Sequence, residues 1–151
     1  MRIRWNPRAG LAALLALSML QGCNESEQPP AVDGSRIVHQ HRDPRFELRL
    51  ETNEQTAPGR LRAEIVPRGD YHLSTEYPSR LELHGQGMTV QPAILKRDEA
   101  TELSGERVSF ELDVRSEGAP PQHLTGTLRF GVCLRDELCE PVSHDFEADL
   151  F

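Results

Sequence analysis

Three cysteines, one tryptophan and an aromatic content of 5% are few for 151 residues, and most patterns that announce catalysis or nucleic-acid binding are missing. No Ser/His/Asp set, glycine-rich phosphate loop or carboxylate pair at catalytic spacing stands out, so hydrolase and kinase chemistry find no support. After Cys23 there is no Lys/Arg cluster or basic stripe, which argues against binding nucleic acid or anionic lipid through a basic surface. No internal repeat is visible. Nor does any apolar run reach the roughly 20 residues that a spanning helix needs.

What is present begins with "MRIRWNPRAGLAALLALSMLQGC", where Arg2, Arg4 and Arg8 precede an apolar run from Ala9 to Leu20. That run of about 12 residues has the length of a signal-peptide core. The stretch "LQGC" resembles a lipobox, although Gln21 departs from the usual small or apolar residue. A lipoprotein signal over residues 1–22 and a lipid-modified Cys23 are therefore expected. Asn24 stands where an aspartate would resemble an inner-membrane retention signal, so the expected place is the outer membrane, facing the periplasm. Loss of the signal removes three arginines and no acid, moving the formal charge from −7 to −10. Such an acidic balance fits a tethered domain kept soluble by its charge.

Residues 23–44, polar and bearing prolines, read as a flexible linker between the anchor and a folded domain. The domain, residues 45–151, is about 107 residues long, enough for a core of its own. Its apolar residues recur with period two. Phe46, Leu48 and Leu50 alternate with charge, as do Leu61, Ala63 and Ile65, and Val108, Phe110, Leu112 and Val114 form the cleanest pattern. Shorter runs at Leu81–Leu83, Met88–Val90 and Ala93–Leu95 lie between turn-forming clusters, and only Lys96–Glu106 has room for a helical turn. Seven or so short strands predict an all-β fold, an antiparallel β-sandwich.

The other two cysteines stand in "GVCLRDELCEP". Leu124, Leu128, Phe130 and Val132 share one parity, with Cys133 on the other; Val142, Phe146, Ala148 and Leu150 share one parity, with Cys139 on the other. A hairpin with Cys133 opposite Cys139 puts Phe130 opposite Val142 and Leu124 opposite Ala148, so the register that joins the cysteines also buries the apolar residues. Both cysteines are then expected on the wet face, close enough for a disulfide. As a staple, a loop of about 7 residues stabilises by only about 2.4 kcal/mol. An outward disulfide is also open to exchange. Asp136, Glu137 and Glu140 surround the pair with only Arg135 in opposition, a setting that raises thiol pKa and slows attack by these thiols. The pair is better suited to being attacked by a partner, or to being activated once a partner docks.

The Cys-x5-Cys spacing on a late hairpin, Pro141 two residues after the second cysteine, and the Asp98-Glu99 pair ahead of it resemble the amino-terminal periplasmic domain of the thiol:disulfide interchange protein DsbD. The likeness covers most of Arg45–Phe151, including "PRGDYHLSTEYPSRLEL" where that family opens a glycine-aromatic strand. It implies an immunoglobulin-like sandwich, here as a stand-alone lipoprotein, whose cysteine pair relays electrons between a membrane redox protein and thioredoxin-fold partners. By position, Cys133 and Cys139 match the redox pair, and Asp98 and Glu99 match acidic residues close to it. Ala100-Thr101 depart from the aromatic cap that the family places over its disulfide, and Phe130 stands near a family tyrosine.

Weaker features are an HxH at His39 and His41, scattered His72, His84, His123 and His144, and the aromatic stretch Tyr71–Pro78. No spacing repeats a known metal-ligand pattern, and no cofactor is expected. His144 falls opposite Leu128 on the apolar parity, where a satisfied, partly buried histidine is expected. Tyr71–Pro78 reads as strand and turn with tyrosine rings on the core, or as a binding edge. Two functions remain: a thiol-disulfide exchange lipoprotein working through Cys133 and Cys139, or a non-enzymatic envelope-binding lipoprotein with an inert hairpin disulfide.

Overall fold

The computed structural model describes residues 34–53, 59–118, 121–135 and 138–150. The signal segment and Cys23 lie outside the described residues, as do Asp136 and Glu137. Eleven strands follow one another: β1 Ser35–Arg42, β2 Phe46–Asn53, β3 Gly59–Pro67, β4 Tyr71–Leu73, β5 Arg80–Gln86, β6 Met88–Gln91, β7 Ile94–Lys96, β8 Glu102–Leu103, β9 Val108–Ser116, β10 His123–Leu134 and β11 Leu138–Asp149. Among these residues a 3-10 turn, Arg97–Glu99, supplies the helical turn expected after Lys96. More strands form than the seven or so expected, because β4 and β8 are too short to show a period and β1 hides its own.

One antiparallel sheet has the order β1-β2-β3-β9-β6 with β8 also on β9, and the other has the order β11-β10-β5-β7 with β4 also on β10. The alternating residues explain the layers. Leu48, Leu50, Leu61, Ala63, Ile65, Val108, Phe110 and Val114 from the first sheet meet Leu81, Leu83, Leu124, Leu128, Phe130 and Phe146 from the second in one core. Phe46 and Phe130 join the layers edge to face, with ring centroids 4.9 Å apart, a geometry that contributes about 1 kcal/mol beyond burial. The protein is thus all-β, two antiparallel sheets in sandwich-like packing.

Residues 35–42, read from sequence as the end of a flexible linker, instead form β1 and pair with β2. The register slips between Ile37 and His39, so Val38 sits in a bulge. A bulge inserts one residue and shifts the alternation. Ile37 is left exposed while Val38 packs against the core, which erases the simple period that would have marked a strand. Across the sandwich seam, Arg36 donates to the Leu150 carbonyl, and the His39 ring meets the Glu147 carbonyl at 3.1 Å.

β10 is the strand that positions the cysteines. Along its whole length it pairs with β11, while its other edge pairs first with β5, His123 to Arg129, and then with β4, Val132 to Leu134. Between those two partners, residues 74–79 pass Gly131, bringing Ser74 and Tyr77 over its outer face. Gly131 lets them do so: a Cβ there would stand 2.9 Å from Tyr77 Cβ and 3.0 Å from Ser74 Cβ.

Candidate functional site: the Cys133–Cys139 pair

The β10–β11 ladder matches Leu124 with Ala148, Leu128 with His144, Phe130 with Val142 and Cys133 with Cys139. This is the register that burial of alternate apolar residues demands. The two cysteines form a disulfide of S–S 2.06 Å with Cα atoms 3.9 Å apart. Ser74 N–H donates to the Gly131 carbonyl at 2.9 Å, so at odd positions the β10 backbone faces β4. Toward β11 the Cys133–Cys139 pair is therefore a non-hydrogen-bonded one, the closer of the two antiparallel pairings.

The expectation that both cysteines lie on a wet face is half right. Cys139 is exposed, but Cys133 is only 2% exposed. The parity holds, and the burial of Cys133 has no local signature in the sequence. β4 pairs along β10 at this level, with His72 opposite Cys133, and the segment that follows lies over Gly131 on the same face. The Ser74 hydroxyl accepts from Tyr77 N–H at 3.2 Å, and Leu73 N–H donates to the Gly105 carbonyl at 2.8 Å, tying strand and crossing segment to their neighbours. Tyr71–Pro78 is thus strand and turn, with Tyr71 packed against the core and Tyr77 on the outer face of β10.

The charges around the pair also differ from the sequence picture. Arg45, far away in sequence, binds the Glu140 carboxylate at 3.1 Å and that of Asp43 at 2.9 Å. The hydrogen bond from Arg45 holds the Asp43 carboxyl below its usual range. Arg135 binds Asp70 at 3.1 Å, while its relation to Asp136 and Glu137 lies outside the described residues. These pairs are exposed enough that each stabilises by less than about 1 kcal/mol. Their effect on the site is to place a cation against Glu140, the residue next to Cys139.

Asp98 and Glu99 lie in the exposed 3-10 turn. The Glu99 carboxylate accepts the Lys96 N–H at 2.9 Å, capping that turn. Asp98 borders a cavity of about 440 Å3 with Glu76, Arg80 and Arg97. Among the described residues, no hydrogen bond or ion pair joins either acid to a cysteine. Arg97, in the same turn, donates to the carbonyls of Thr75 and Glu76 at 3.1 and 3.2 Å, in the segment between β4 and β5.

The HxH histidines are brought together with His144 at the seam between β1 and β11. The His41 and His144 rings are 4.1 Å apart and the His39 and His144 rings 6.2 Å. Burial, then the neighbouring His41 and His39, lower the His144 pKa. His144 is half-buried as expected but not satisfied, because its Nε2 and that of His39 are buried without a hydrogen-bond partner. Among the described residues, no group of three or more His, Cys, Asp or Glu is placed to hold a metal ion. No helix among them is long and apolar enough to cross a membrane.

Residue patterning missed Arg45 beside Glu140, His72 opposite Cys133 and Tyr77 over Gly131. Each arrives through long-range strand pairing or chain crossing, so no local signal marks it. Compared with protein-family models, curated proteins and solved structures, the chain matches none of them.

Proposed function

We propose that this chain is an envelope lipoprotein, anchored through Cys23 in the outer membrane and facing the periplasm. Its immunoglobulin-like domain exchanges the Cys133–Cys139 disulfide with a thioredoxin-fold or membrane redox partner. The observation that carries the reading is the asymmetry of the pair: Cys139 is exposed and Cys133 is buried. A partner thiolate reaches Cys139, the Cys139–Cys133 bond breaks, and its electron pair leaves on the Cys133 sulfur. A second partner thiolate then attacks the mixed disulfide at the partner's own sulfur, releasing Cys139 and an oxidised partner. Two electrons pass from partner to domain, and the reverse sequence returns them.

Two features support this reading over a structural one. A short hairpin loop limits the staple to about 2.4 kcal/mol, while the disulfide lies outside the core that joins the sheets. The Arg45–Glu140 pair also lessens the negative charge that would repel an incoming thiolate. The second reading, an inert disulfide in a binding lipoprotein, is favoured by the cover over Cys133.

Trapping distinguishes them. With the Cys133→Ala chain, a reduced thioredoxin-fold protein lacking its resolving cysteine, and mild oxidant, a mixed disulfide through Cys139 is expected. Cys139→Ala should give little under the same conditions. Equal trapping by both variants, or none by either, contradicts the exchange reading.

A further inference from the structure

The row that contains the disulfide does not end at the cysteines. β4 places His72 directly opposite Cys133 across β10, as β11 places Cys139 opposite it on the other side. Directly paired residues project from the same face with Cβ atoms about 5 Å apart. His72, Cys133 and Cys139 therefore form one cross-strand row on the outer face of the sheet. Among the described residues, the His72 ring has no hydrogen-bond, ion-pair or ring partner. The residue is half-buried, and its nitrogens are not among the sealed, unpartnered atoms of the interior. The ring is thus uncommitted and able to exchange protons with water.

We infer that His72 assists exchange by protonating, or pairing as imidazolium with, the Cys133 sulfur when that sulfur becomes the leaving group; this rests on the exchange reading above. When a partner thiolate attacks Cys139, the S–S electron pair goes to Cys133, whose buried site disfavours an isolated thiolate. A protonated imidazole beside it supplies a positive charge and then the proton, leaving thiol and neutral imidazole. Histidine suits the task because imidazole is the side chain that serves as a proton donor and acceptor near neutral pH.

The surrounding charges leave this role open. On its own strand's approach, Asp70 pairs with Arg135 from the end of β10. Across the adjoining turn, where a Cβ at Gly105 would stand 3.9 Å from His72 Cβ, Glu106 is exposed and Arg107 is engaged with Glu64 and Glu102. None has a hydrogen bond or ion pair to His72.

The test is the rate at which dithiothreitol reduces the intact disulfide in the full chain, divided by the concentration of dithiothreitol thiolate, from about pH 5 to 8. In the unaltered chain the normalised rate should rise about tenfold as pH falls through the imidazole range, modest beside the hundredfold or more of tuned general acids. His72→Gln should give a flat profile, and His72→Lys, which keeps a fixed charge, a flat profile at a higher level. Loosening of the β4 cover would raise the His72→Gln rates at every pH, so a structural effect is distinguishable. A flat profile in the unaltered chain, or a slope that survives in His72→Gln, overturns the inference. A flat profile with a reduction potential in the exchange range removes His72 alone. A potential below about −300 mV overturns the carrier reading itself, and with it the role given to His72.

Discussion

Cys133 and Cys139 face each other across one rung of the β10–β11 ladder, yet the first is buried and the second exposed. The difference comes from what flanks the rung. Cys133 lies on an inner strand of its sheet, flanked by β4 and with Ser74 and Tyr77 over Gly131 two residues away, whereas Cys139 lies on the edge strand β11. A reagent thus meets the two cysteines unequally, Cys139 before Cys133.

The cover depends on Gly131. An alanine Cβ would stand 2.9 Å from Tyr77 Cβ and 3.0 Å from Ser74 Cβ, so the crossing segment must shift. Gly131→Ala should cost about 1–3 kcal/mol and speed reduction of the disulfide. Denaturant unfolding and timed reduction with dithiothreitol check both effects.

Removing the pair by Cys133→Ala and Cys139→Ala together should lower stability by about 2.4 kcal/mol and leave a cooperative unfolding transition. Phe130→Ala, which removes a ring packed edge to face on Phe46, should cost more, about 3–5 kcal/mol. Equilibrium denaturation of the two variants checks the order: the hairpin staple is the smaller contribution.

Arg45 holds Glu140 beside Cys139. Arg45→Ala should leave that carboxylate unbalanced and slow attack by anionic thiols about two- to threefold, with little change in stability. The slowing should fade at high salt, as screening removes the repulsion. Reduction rates with an anionic and a neutral thiol at two ionic strengths check this.

The histidine seam predicts acid sensitivity. Burial, with His41 and His39 nearby, lowers the His144 pKa in the folded protein. The unfolded chain then binds more protons between about pH 6.5 and that lowered value, so stability rises with pH through the interval and falls on acidification. His144→Leu should remove this part of the pH dependence, as thermal unfolding on either side of pH 6.5 will show.

The parts of the fold legible in the sequence are those where one strand face is buried and the other wet. β2, β3, β9 and the β10–β11 register all follow from that alternation. β1 was hidden because the Val38 bulge shifts its parity and histidines replace apolar residues at its inward positions. In the candidate site, the pairing of Cys133 with Cys139 was legible because it coincides with burial of Phe130 and Val142. The cover over Cys133 and the arrival of Arg45 and His72 were not, since each depends on contacts between segments far apart in the chain. Asp98 and Glu99 illustrate the reverse case: adjacent acids are conspicuous in sequence, while the bond Glu99 makes caps the turn it occupies.

The most direct test of the account is the equilibrium reduction potential of the Cys133–Cys139 pair, measured in the full chain against glutathione or dithiothreitol redox buffers with thiol alkylation and mass spectrometry. The account predicts rapid equilibration and a potential between about −120 and −270 mV, the span of known exchange proteins. A potential below about −300 mV, or a bond that opens only when the protein unfolds, would contradict it and leave the disulfide as a staple.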